Sequence, residues 1–248
     1  MNRSSISTNT FSKAFLSKAW EARSELLDYE KRGFAQFFYL TICGHAESLL
    51  ASIITTRLLF IRTDTAINWG TLPSMQYQNN DVAHECPVEP VIASIKQIAN
   101  SLKNETDSAP LSKLFALHDR TFPQKLKDIV GAELWADLDA LASLRNLFAH
   151  GRDLIMDFDV DENFGFKGIL DGNALMKPAQ RLLKAGIIKN LDINGQNHHE
   201  FHGIFYGDAA MVYFYHAVQS IEERLRASTV FLPEKNNIFY SKLLDLKI

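Results

Sequence analysis

The segment from Phe34 to Ile61 constrains this chain most, because it is apolar around most of a helical circumference. A helix of that kind is packed on several sides or lies in lipid. It is long enough to span a bilayer, yet Cys43, Gly44, His45, Glu47 and Arg57 interrupt it, and such residues are costly at membrane depth. Residues 34–62 therefore read as a buried central helix, and a chain built around it reads as a helical bundle. A hydrophobic fraction of 46% with 22% charged residues is that of an ordinary globular protein, enough for a core without staples. The two cysteines, Cys43 and Cys86, make no disulfide or metal framework, which points to a reduced, cytoplasmic compartment. The opening residues lack the apolar run of a signal peptide, and no membrane association is expected. A net charge of -3 argues against a DNA-coating protein, so sequence-specific DNA binding is not expected, while a local RNA contact stays open.

Around the central helix the pattern is mostly helical. Residues 1–10 read as a polar leader and residues 11–248 as one helical domain. A first helix is expected over 11–30, punctuated by Gly33 before the central helix. Residues 63–90, with Pro73, Pro87, Pro90 and Asn79-Asn80-Asp81, read as a loop holding at most a helical turn. Helices are expected over 91–103, 111–119 and 126–130, and another follows Gly131 with Leu134, Leu138, Leu141 and Phe148 on its core stripe. Gly151 suits its C-terminal end. Residues 152–207 read as an insertion. Within it Leu154, Met156, Phe158 and Val160 alternate with Ile155, Asp157, Asp159 and Asp161, predicting a strand that pairs with one over 166–170 in a β-hairpin. A short basic helix is expected over 173–189 and a further short strand over 199–206. Asp208 is expected to cap a final aromatic-rich helix over 209–227. The tail from Thr229 reads as irregular.

The chemistry concentrates in Arg145-Asn146-Leu147-Phe148-Ala149-His150 at the end of the helix after Gly131. Asn146 and His150 are four apart and share a face, with Arg145 at its flank. His150 falls in the last turn, where the helix dipole favours an imidazolium. A permanent cation beside a near-neutral acid/base suits phosphate chemistry. A purely architectural reading is also open: Arg145 pairs with Asp137, Asp139 or Glu47, and His150 satisfies the terminal carbonyls.

The run Ser143-Leu144-Arg145-Asn146-Leu147-Phe148-Ala149-His150-Gly151 resembles the signature of the HEPN superfamily, an Arg with a polar neighbour and a His four to six residues beyond. The resemblance covers nine residues in motif, and residues 11–151 and 208–227 in outline. It implies a compact helical bundle in which two protomers join their motifs across a dimer interface and cleave RNA without metal or cofactor. It assigns Arg145 to the scissile phosphate, His150 to general acid/base catalysis, and Asn146 to orientation or a phosphate hydrogen bond. The products would be a 2′,3′-cyclic phosphate and a 5′-hydroxyl. A toxin or antiviral-defence role follows from the same resemblance, with an antitoxin or regulatory protein as partner. The chain is also similar to the mannitol-operon-repressor type of bacterial protein, helical with an Arg and a His late on a helix and an acidic β-rich stretch after them. That likeness implies a non-catalytic transcription regulator working through protein partners.

Other constellations weigh less. Asp157, Asp159 and Asp161 begin like a calcium loop, but Glu162 and Gly168 occupy the positions that need Gly and Glu. On a strand, His198, Glu200 and His202 would share one side, without an evident fourth metal ligand. Glu47, within the apolar helix, is a candidate support for Arg145. Lys177, Arg181 and Lys184 form a basic stripe that either meets RNA phosphates or faces solvent. Tyr213, Phe214 and Tyr215 read as core or dimer interface rather than a base-stacking platform.

Overall fold

The computed structural model describes residues 18–69, 74–79, 82–107, 109–150, 157–160, 162, 166–169, 174–191 and 198–228. The leader, Gly151, residues 154–156, Leu170 and the tail lie outside them. The architecture is mostly helical, with two small hairpins among the described residues. The chain groups into two compact units, one made chiefly of residues 1–46 and 127–228, the other of residues 47–126.

A helical stretch over residues 18–22 (α1) passes through a 3-10 turn, Arg23–Glu25, into the long helix α2, Asp28–Trp69. The break between the first two helices thus falls at Leu26 and Leu27, not at Gly33. Leu26 is extended (ψ 144°), and Glu30 accepts the Leu27 N–H at 2.7 Å, so an acidic first turn sets the start of α2. Gly33 lies inside the helix, where it costs about 1 kcal/mol. At its other end α2 runs on to Trp69, beyond the expected limit at residue 62.

In the first unit, α6 (Ala132–Ala149) packs with α7 (Met176–Lys184) and α9 (Asp208–Ala227), and α8 (His198–Tyr206) with α9, while α2 joins them through Phe38 and Tyr39. Arg23 meets Asp208, the Phe38 ring lies 6.3 Å from Tyr215, and His45 meets Glu222, so α2 and α9 run in the same direction. α6 runs against α9: Arg224, late on α9, meets the start of α6, while Phe148 at its end lies beside Tyr206, just ahead of α9. Phe38, Tyr39, Ile42, Phe205, Phe214 and Tyr215 are wholly buried, which gives the apolar first half of α2 the cover its composition demands. α2 is by length and composition the one described helix able to cross a membrane, and these residues of it are enclosed by protein. Phe214 and Tyr215 thus serve the core rather than a stacking platform, and Tyr213 is half-buried beside them.

The expected hairpin after α6 is present: β3 (Asp157–Val160) pairs antiparallel with β4 (Phe166–Ile169), Asp159 opposite Lys167. The strand expected at 199–206 is instead the helix α8. Its signal is Phe201 and Phe205, four apart, both buried with rings 5.5 Å from each other. α9 opens one residue early, with Gly207 rather than Asp208 as its N-cap.

In the second unit the loop expected at 63–90 holds a β-hairpin: β1 (Ser74–Asn79) pairs with β2 (Val82–Pro87), Asn79 opposite Val82. Pro87 stands at the end of the ladder, where a missing N–H is tolerated. α3 (Val88–Thr106) and α4 (Leu111–Thr121) follow, and the short α5 (Leu126–Val130) precedes α6. Ile53, Ile54, Leu111, Leu114 and Leu117 form the core of this unit.

Candidate functional site

The end of α6 carries the hexad. At the other end of the helix, Gly131 has φ +84°, and a Cβ there would stand 2.8 Å from Arg224 Nη1. That same nitrogen donates to the Val130 carbonyl at 2.7 Å, so the entry to α6 is locked onto α9. Leu138, Leu141, Leu144 and Phe148 bury one side of the helix. Phe148 stacks on Tyr39 at 5.6 Å, and Tyr39 donates its hydroxyl proton to the Phe205 carbonyl at 2.8 Å. Burial, then the neighbouring Tyr206, push the Tyr39 hydroxyl pKa upward, so it remains a donor.

On this support Arg145 is half-buried, while Asn146 and His150 are exposed. Arg145 Nη1 stands 3.5 Å from Asn146 Oδ1, a long contact that sets the two side by side. His150 is the C-cap of α6, at φ -93° and ψ 10°. The hexad therefore offers one guanidinium, one amide and one imidazole from a rigid helix end, which is a set able to hold a phosphate and move a proton.

The acids that an architectural role would offer Arg145 each have contacts of their own. Asp137 accepts from Arg181 Nε at 2.6 Å and from the Tyr213 hydroxyl at 2.5 Å. Asp139 pairs with Lys177 at 2.7 Å. Glu47 lies in the second unit and accepts the Leu111 N–H at 2.9 Å, capping α4, whose own N-cap is Pro110.

The basic stripe on α7 meets α6. Lys177 binds Asp139, Arg181 binds Asp137 and Glu133, and Lys184 binds Glu133 at 2.5 Å. Its charges are matched one helix away, giving the stripe a helix-pairing role. Hydrogen bonds from Lys184 and then Arg181 hold the Glu133 carboxyl below its ordinary range. Burial alone would lower the Arg181 pKa, but the Asp137 and Glu133 carboxylates outweigh it and raise it. Burial and the Asp137 hydrogen bond push the Tyr213 hydroxyl up to about 12.

Sequence reasoning misses the buried pair His45 and Glu222, whose side chains are 9% and 5% exposed. The available signal is a single polar residue inside each of two apolar stripes. It also misses Arg32, whose Cζ lies 5.9 Å from the Tyr206 ring. The strand geometry that would gather His198, Glu200 and His202 gives way to α8, and among the described residues no three His, Cys, Asp or Glu side chains converge on a metal-sized site. Comparison of the chain with protein-family models, characterised proteins and solved structures returned no match.

Proposed function

We propose that this protein is a metal-independent endoribonuclease of the HEPN-like kind, acting in a toxin or antiviral-defence role. The observation that carries the reading is the presentation of Arg145, Asn146 and His150 together at the end of α6, with Asn146 and His150 open to solvent. In this reading the ribose 2′-oxygen attacks the adjacent phosphorus, the P–O5′ bond breaks, and a 2′,3′-cyclic phosphate and a 5′-hydroxyl result. One His150 takes the 2′-hydroxyl proton or delivers one to the leaving 5′-oxygen, and a second copy of the chain supplies the complementary proton transfer. The Arg145 guanidinium neutralises the charge that grows on the non-bridging oxygens. Asn146 orients Arg145 or hydrogen-bonds the phosphate. The need for a 2′-hydroxyl makes RNA the substrate and DNA inert.

The test is cleavage of mixed RNA by the purified protein in EDTA, beside Arg145→Ala and His150→Ala. The expected result is cleavage by the wild type with cyclic phosphate ends, reduced about 100-fold or more in each variant. No cleavage, or equal cleavage by folded variants, moves the assignment to a regulator of the mannitol-operon-repressor type, with the hexad as architecture.

A further inference from the structure

An RNA-cleaving site needs cations that protein carboxylates do not already neutralise, and the α7 stripe does not provide them. Arg32 does. It is exposed in the second turn of α2, and among the described residues its guanidinium has the Tyr206 ring as its partner, 5.9 Å from Cζ to the ring centre. Tyr206 lies 6.3 Å, ring to ring, from Phe148, which sits three residues after Arg145 and two before His150. The same Phe148 stacks on Tyr39, seven residues after Arg32 on α2. Two aromatic contacts thus tie Arg32 to the end of α6 that carries the hexad. Seven residues of helix place Arg32 about 10 Å from the point where α2 touches that end.

We infer that Arg32, steadied by Tyr206, is a phosphate-binding residue for the single-stranded RNA whose scissile bond lies at Arg145 and His150. The inference rests on the nuclease reading and deepens it by naming how the strand is held. At about 10 Å from that end, Arg32 meets a phosphate farther along the strand rather than the scissile one. The contact is to the backbone, so it adds affinity without base preference. A guanidinium over an aromatic face keeps its N–H groups free at the edge, which suits an oxyanion and also limits the side-chain freedom lost on binding.

The experiment uses full-length His150→Ala protein, which holds RNA without cutting it, and a fluorescent single-stranded RNA oligonucleotide, with anisotropy read over a range of salt. Adding Arg32→Ala is expected to weaken binding about fivefold, the scale of one exposed charge contact. The slope of log affinity against log salt should fall by about 0.7, one phosphate's share for a single strand. Arg32→Lys should keep the slope, and Tyr206→Leu should weaken binding while keeping it, because neither removes the charge. Unchanged affinity and slope in Arg32→Ala overturn this inference alone and leave the nuclease reading standing. If His150→Ala binds no RNA, while wild type cuts none, both fall together.

Discussion

His45 Nε2 and Glu222 Oε2 stand 2.9 Å apart inside the first unit, joining two helices whose sequence positions differ by 177. They continue the line begun by Phe38 and Tyr215, seven residues earlier on each helix, so the pair fixes the register between α2 and α9. The other ring nitrogen, His45 Nδ1, is buried without a hydrogen-bond partner among the described residues. Glu222 is therefore what makes His45 tolerable in the core.

Removing one member of a buried pair exposes the cost of the other. Glu222→Leu should destabilise the protein by about 3 kcal/mol, and the double variant His45→Leu/Glu222→Leu by clearly less than the two single changes added. Urea unfolding of the four proteins measures this. Additive losses would mean that the contact contributes little coupling.

Gly131→Ala tests the lock at the start of α6. An alanine at φ +84° and ψ 158°, a region almost reserved for glycine, costs about 1–3 kcal/mol in backbone strain, and its Cβ displaces the Arg224 guanidinium from the Val130 carbonyl. We expect a loss of about 2 kcal/mol by thermal unfolding, partly shared with Arg224→Ala, since both changes break the same hydrogen bond. A neutral Gly131→Ala would show that the entry to α6 relaxes freely.

The elements with strong helical periodicity are legible in the sequence. So is the β3–β4 hairpin, because apolar and acidic residues alternating at a period of two fit a strand and spoil a helix face. The β1–β2 hairpin is masked by Pro87, which suggests loop until it is placed at the end of a ladder. α8 is hard to read because His, Glu and Gly dilute the Phe201–Phe205 spacing that the core selects. Arg145, Asn146 and His150 can be picked out as candidates from local spacing and the resemblance it carries. Arg32, Tyr206, His45 and Glu222 cannot, since each acquires meaning only from a residue far along the chain. The basic stripe on α7 is visible, but the carboxylates of Glu133, Asp137 and Asp139 that absorb it depend on how α7 lies against α6.

His118 predicts a pH dependence in the second unit. Burial lowers its pKa, only partly offset by Asp119 3.4 Å away, and the ring stacks on Phe122 at 4.5 Å. In the unfolded chain it takes up a proton near the ordinary histidine value of about 6.5. Above that pH both states are neutral and its contribution is complete. Below it the unfolded state binds more protons, so stability falls with pH until the folded pKa is passed. His118→Gln should flatten the decline in melting temperature as pH drops from about 6.5. The difference from wild type isolates His118 from the rest of the 8 histidines. Parallel profiles would remove His118 from the acid response.

The exposure of Asn146 and His150 separates catalysis from architecture. Surface changes away from a buried partner shift stability by about 0.5 kcal/mol or less. Asn146→Ala and His150→Gln should therefore melt within a few degrees of wild type. As catalytic groups, however, they should reduce RNA cleavage strongly, His150→Gln by about 100-fold or more because glutamine cannot exchange a proton at neutral pH. A C-capping role predicts the reverse pattern. Glutamine can still hydrogen-bond a terminal carbonyl and preserve the cap, whereas His150→Ala would lose stability and any activity in proportion. Measuring both quantities on the same three variants decides between them: activity lost at constant stability assigns the hexad to chemistry, and activity that tracks stability assigns it to the helix end.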